Sequence, residues 1–333
     1  DMRRYELKPA WRSVIMLIAL LVVGSATQAT ALEPEKPGRW TFKHPDRPQK
    51  AVIVGGSVSA WPRGNYGHFL HAACPNVEIV NRGKARLGAK ALHKRVKMQL
   101  FKNRKLNLDD GETVWLIFHG GLNSIASPLS TNRWVAKSLK LAHDGGLKTI
   151  AMTVGPWGSE ADKRWKRAAG LSYRTWTQQS VDFIVGSLTP EEAFGPSRAG
   201  TDYEPGERPD IAVNIYDSDL RDRDAAPRTN PRMARYVKVD KWVKRQLREL
   251  PDDAREARLQ TLTEMAITLP QWFMRKALHA FDHVHPNMEG HRVIASTMCP
   301  KMPQAWGCQC DTIPALAWDR KAGKLVVQTD GED

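Results

Sequence analysis

Five short runs rich in β-branched residues recur along this 333-residue chain, and helical patterns separate most of them. They are AVIVGG at 51–56, VEIV at 77–80, TVWLIF at 113–118, KTIAMTV at 148–154 and DIAVNIY at 210–216. Strands that alternate with helices are joined by crossovers, so the rhythm predicts a mainly parallel sheet covered on both faces. With 41% hydrophobic and 26% charged residues the chain can bury such a core, which excludes disorder and collagen-like structure.

Helices are expected near 88–102, 131–144, 160–186 and 232–249. In the last, Tyr236, Val239, Val243, Leu247 and Leu250 recur at spacings that form one face of a 3.6-residue period. Lys238, Lys241, Lys244, Arg245 and Arg248 lie off that stripe, a pattern that suits a solvated helix face more often than a nucleic-acid surface. Residues 189–209 hold four Pro and three Gly and are expected to form a long loop, a lid or a mobile insertion. The stretch ALAWDRKAGKLVVQTD at 315–330 reads as a hairpin turned near Gly323.

Before the first strand, residues 14–24 (VIMLIALLVVG) form an apolar run preceded by Arg3, Arg4, Lys8 and Arg12 and followed by Ala29-Thr30-Ala31. Basic start, short apolar centre and small-x-small end together predict a secretory signal over 2–31. Eleven apolar residues fall short of the roughly 18 that a membrane span needs, which argues against an uncleaved anchor. A Pro-rich linker over 32–48, a main domain over 49–300 and an extension over 301–333 complete the expected organisation. The protein is thus expected to be secreted or periplasmic. Residues 1–31 carry four basic and two acidic side chains, so their removal takes the net charge from +14 to +12. That surplus suits an anionic partner such as an envelope glycan or lipid surface, and no specific nucleic acid is expected. Export permits disulfides among Cys74, Cys299, Cys308 and Cys310, and sequence leaves all three pairings open. Zinc is the weaker reading of these cysteines, because Cys308 and Cys310 lack a neighbouring Cys or His pair.

Three segments carry chemistry, each after a strand or before the last helix, where open α/β sheets hold their ligands. In VIVGGSVSAW, Ser57 leaves the first strand behind two glycines, which let the backbone bend and a substrate approach. Taken alone, Gly-Gly-Ser also fits an ordinary turn or a phosphate cradle. In WLIFHGGLNSI, the Asn123 carboxamide can donate to a developing oxyanion, or the residue can simply cap the next helix. In FDHVHPNMEGHRVIA, Asp282 and His285 stand three residues apart, close enough for the carboxylate to fix the imidazole tautomer and stabilise the imidazolium. Metal ligation by Asp282, His283 and His285 is the rival reading.

Together these blocks resemble the SGNH (GDSL-like) hydrolase family over residues 51 to about 298. The resemblance implies a flavodoxin-like three-layer α/β/α fold on a mainly parallel five-stranded sheet. It also implies a catalytic set of Ser57 as nucleophile, His285 as base and Asp282 as its orienting acid. The oxyanion hole is expected from the N–H groups of Ser57, Gly88 and Asn123, with Gly83 the weaker candidate for the second block. Two departures from the family pattern bear on substrate more than on chemistry: Gly56 stands where Asp is usual, and Ser124 follows the Asn.

The function this implies is a secreted serine esterase working through an acyl-enzyme, with no metal and no organic cofactor in the scheme. Its partner is an ester-bearing substrate, either a carbohydrate or a lipid, or a small ester. Trp61, four residues after Ser57, is expected to offer an aromatic face to that substrate. Two other classes stay open, a carbohydrate O-acetyltransferase with the same triad and a non-catalytic envelope protein that binds anionic glycan or lipid.

Overall fold

The computed structural model describes residues 44, 46–62, 64–102, 113–166 and 168–328. The expected signal and most of the linker lie outside them. All five expected strands are present as β1 (Gln49–Gly55), β2 (Val77–Asn81), β3 (Val114–His119), β4 (Lys148–Met152) and β5 (Ile211–Val213). They pair in parallel in the order β2-β1-β3-β4-β5. Register aligns Ile53, Ile117, Ile150 and Ile211 in one row across four strands. A parallel sheet buried on both faces needs such runs, and the residues of β1 sort by alternation onto its two sides. Ala51 and Ile53 join one core cluster, whereas Val52 and Val54 join the other.

Helix α1 (Tyr66–Ala73) follows β1, and α2 (Ala89–Val96) with α3 (Pro128–Asp144) flank β3 in sequence. Leu92, Val96, Val135 and Leu139 from α2 and α3 pack on Val52, Val54, Leu116 and Phe118. The opposite face is covered by Phe69 and Leu70 of α1, with Ile294 and Met298 from the last helix. This is the three-layer α/β/α arrangement expected above, and the reversal of strand order falls between β1 and β3.

Beyond β4 the outcome is mixed. Where one helix was expected over 160–186, a short turn at Lys163–Trp165 comes first and α4 (Ala169–Val185) after it. The expected loop at 189–209 contains α5 (Pro190–Phe194), whose Thr189 cap and Glu192 hydrogen-bond reciprocally. Its remainder is pinned, because both terminal nitrogens of Arg198 lie 3.0 Å from Glu207 carboxylate oxygens. The single helix expected over 232–249 is two, α6 (Met233–Val239) and α7 (Lys241–Arg248). Asp240 breaks it: its backbone is extended and its carboxylate caps the N–H groups of Trp242 and Val243. The kink moves the buried stripe, so Val237 is enclosed while Val239 is 56% exposed. A further helix, α8 (Asp252–Ile267), has no counterpart in the sequence reading; Leu262 and Ala266 pack it against α6 and α7.

The chain then forms α9 (Met288–Met298) and the expected hairpin, β6 (Leu316–Asp319) against β7 (Lys324–Val327). The expected boundary near residue 300 does not mark a detached extension. Cys74–Cys308 and Cys299–Cys310 are disulfide-bonded, and fully buried Trp306 meets Trp115 edge-on, ring centroids 6.1 Å apart.

Candidate active site

Ser57 sits in a single turn just past β1, closed by the Ala60 N–H donating to the Gly56 carbonyl at 3.0 Å. The turn can lie this close to the sheet only because residue 55 is glycine. A Cβ there would fall 2.1 Å from Ser59 Oγ and 2.6 Å from the His119 carbonyl oxygen. Ser59 in turn is fully buried, with its hydroxyl 2.8 Å from that of Tyr66. Asn81, at the end of β2, donates through Nδ2 to the Ser59 carbonyl at 2.7 Å and accepts from the Gly83 N–H at 2.8 Å. The Ser57 turn is therefore braced from the neighbouring strand by residues that sequence alone did not single out.

Asp282 and His285 stand on a loop that folds back before α9. The Ala280 N–H donates to the His285 carbonyl at 2.7 Å, and Asn287 Oδ1 caps α9 at the Gly290 N–H. One carboxylate oxygen of Asp282 accepts from the backbone N–H groups of Val284 and His285, both at 3.0 Å. The other lies 2.5 Å from His285 Nδ1. An ionised carboxylate only accepts, so Nδ1 carries the hydrogen and Nε2 is left with its lone pair. Nε2 lies 2.6 Å from Ser57 Oγ, across 228 residues of sequence. Burial alone would raise the Asp282 carboxyl, but these N–H donors outweigh it and hold the group below the usual carboxylate range.

Adjacent His283 takes a different direction. It adopts a left-handed backbone, φ 58°, its carbonyl accepts from the Gly158 N–H at 2.8 Å, and its ring meets His279. Trp61 stacks on His285 itself, ring centroids 4.8 Å apart and planes tilted by 23°. It is not among the residues that line the cavity beside Ser57.

Asn123 sits in the short turn Leu122–Ser124 after β3, on the rim of that cavity. Its Nδ2 donates one hydrogen to the Leu87 carbonyl at 3.2 Å, which leaves the second N–H of the amide. The two candidates of the second block separate clearly. The Gly83 amide is committed to Asn81, and a Cβ at Gly83 would press within 2.8 Å of the Ala60 nitrogen. Gly88 lies against the Asn123 turn, where a Cβ would meet Ser124 Cβ at 3.2 Å. Among the described residues, neither the Ser57 nor the Gly88 N–H has a hydrogen-bond acceptor. Ser124 knits the turn to both neighbours: its hydroxyl accepts from the Ala89 N–H at 3.1 Å and from Thr131 at 2.9 Å.

Behind the site lie two histidines that the sequence reading left unused. His119, at the end of β3, lines the cavity, and burial lowers it to about 4. His291 on α9 is fully enclosed and lowered to about 3, first by burial and then by the histidines around it. Both are neutral near pH 7.

No family model and no curated protein matches the chain. Solved structures it resembles include a GDSL-like lipase from Bacteroides thetaiotaomicron, with 12% identity, a TM-score of 0.42, and 78% of this chain and 89% of that one covered. A member of the lipolytic G-D-S-L family from Veillonella parvula has 11% identity and a TM-score of 0.41, covering 75% and 96%. A protein described as an SGNH hydrolase, from Slackia heliotrinireducens, has 14% identity and a TM-score of 0.41, covering 77% and 99%.

Proposed function

We propose that this chain is a serine ester hydrolase of SGNH type. The observation that carries the reading is the line of contacts from Asp282 through His285 to Ser57, at 2.5 and 2.6 Å. In the reaction His285 Nε2 takes the Ser57 proton as Oγ bonds to the ester carbonyl carbon. The resulting oxyanion is held by N–H groups of Ser57, Gly88 and Asn123. Collapse breaks the carbon–oxygen bond of the leaving group, and the imidazolium returns the proton to the departing alcohol oxygen. Water then enters by the same path, with His285 again as base, and releases the carboxylic acid. Asp282 stays ionised and holds the imidazole in place.

The signal-like segment at 2–31 and the pairing of all four cysteines support an exported enzyme, acting on an ester of carbohydrate, lipid or small-molecule origin. The test is labelling with an organophosphonate followed by peptide mapping, alongside hydrolysis of aryl esters. The adduct is expected on Ser57, with hydrolysis lost in Ser57→Ala. An adduct elsewhere, with full activity retained in Ser57→Ala, overturns the triad.

A further inference from the structure

The cavity beside Ser57 runs inward between the carboxyl ends of the strands. Its inner walls are Val154, Trp157, Ile215, Leu220, Met274 and Ile294, all buried and all apolar. Its volume is about 30 Å³. A dry apolar cavity of roughly 150 Å³ accepts benzene, with six heavy atoms, so a fifth of that space takes only one or two. The walls have little room to give way. Ile215, Leu220, Met274 and Ile294 belong to the core under the sheet, and the Trp157 indole is fixed by a 3.1 Å hydrogen bond to Thr177 Oγ1. The one titratable side chain on the lining, His119, is kept neutral by burial, so nothing there would pair with a charged acyl group.

Met274 has a second position of interest. It also lines a larger, more open cleft of about 610 Å³, formed with Phe273, Pro227, His279 and His283 among others. It is the residue that the two linings have in common.

From this we infer that the enzyme acts on esters of short, uncharged acids, acetyl first, and that Met274 sets the limit on acyl length. The inference rests on Ser57 as the acylated residue. The acetyl methyl enters the 30 Å³ cavity, whereas a butyryl chain meets Ile215, Leu220 and Met274. One methylene in a hydrophobic pocket is worth on the order of 10-fold or more in discrimination.

The experiment measures kcat/KM of the full chain on p-nitrophenyl acetate, butyrate and octanoate, which share one leaving group. Acetate is expected to exceed butyrate by at least about 10-fold, with octanoate lower still. Met274→Ala joins the cavity to the neighbouring cleft and is expected to raise octanoate relative to acetate by about 10-fold or more. Octanoate cleaved by the wild-type protein as well as acetate overturns the inference and leaves the hydrolase standing. A folded Met274→Ala variant with the wild-type order of preference overturns the role of Met274. Failure to cleave any ester, with Ser57 unlabelled by phosphonate, removes the hydrolase reading itself. The wild-type series decides the acyl limit even if the Met274 variant does not fold.

Discussion

Replacing Trp61 by Leu separates two uses of an aromatic ring beside a nucleophile. In the structure the indole lies on the His285 ring at 4.8 Å, with the planes 23° apart, so under the proposed mechanism its π face would meet the imidazolium. Cation–π contacts contribute about 0.5–1 kcal/mol when exposed and about 2 when dry. The His285 side chain is 17% exposed, so roughly 1 kcal/mol is a fair value at this site. That corresponds to about a 5-fold loss in kcat/KM. Leu keeps apolar cover but removes the π face, weakening the hold on the charged imidazole. kcat should therefore fall while KM stays near the wild-type value. The assay is acetate-ester hydrolysis by the wild type, Trp61→Leu and Trp61→Phe, with kcat and KM measured separately and Phe recovering part of the loss. A Leu variant whose KM rises while kcat is unchanged refutes the stacking role and makes Trp61 a substrate contact.

Asp282→Asn should cost up to ~10⁴-fold in kcat, the scale seen when a serine triad loses its orienting carboxylate, whereas His283→Ala should be mild. The Asp282 carboxyl is depressed on folding, so its contribution to stability is complete above the unfolded value of about 3.9 and lost as pH falls through the folded one. Urea midpoints taken between pH 5 and 2 should fall less steeply in Asp282→Asn than in the wild type. Gly83→Ala would place a Cβ 2.8 Å from the Ala60 nitrogen, so activity should drop about 10²-fold as the nucleophile turn shifts. An unchanged rate in a folded protein, checked by circular dichroism, would count against that bracing. Removing the Cys299–Cys310 bond, which closes a separation of 11 residues, should cost about 3 kcal/mol and lower Tm by roughly 6–12 °C. A calorimetric Tm within a degree of the wild type would refute this.

The five strands were legible because each is a continuous β-branched run, and a parallel sheet buried on both faces demands that pattern. Ser57, Asn123, Asp282 and His285 were legible as blocks, since each follows a strand or precedes a helix at a recognisable spacing. What escaped depends on partners distant in sequence. Nothing local in NRGKARLG distinguishes Gly83 from Gly88 until Asn81 takes the Gly83 amide. The stack of Trp61 on His285 joins residues 224 positions apart in the chain. At Asp240 a periodic apolar stripe ran through a residue whose carboxylate prefers to cap a helix, and capping won over periodicity. The two cysteine pairs were beyond reach for the same reason, as three arrangements satisfy the count.

Those pairs tie the ends of α1 and α9 to one another. Cys74 closes α1 and Cys299 closes α9, and their partners, Cys308 and Cys310, are two residues apart on a single tail segment. The Ser57 turn leads into α1, and the Asp282–His285 loop leads into α9. A three-residue clasp therefore spans the two helices that follow the Ser57 turn and the Asp282–His285 loop. Amide hydrogen exchange in this layer should be governed by opening of the whole layer, with the slowest amides of α1 and α9 rising together. The pair of helices is thus fully secured only once the short segment from Cys308 to Cys310 has reached them and both bonds have closed, so this layer is the last part of the domain to be locked.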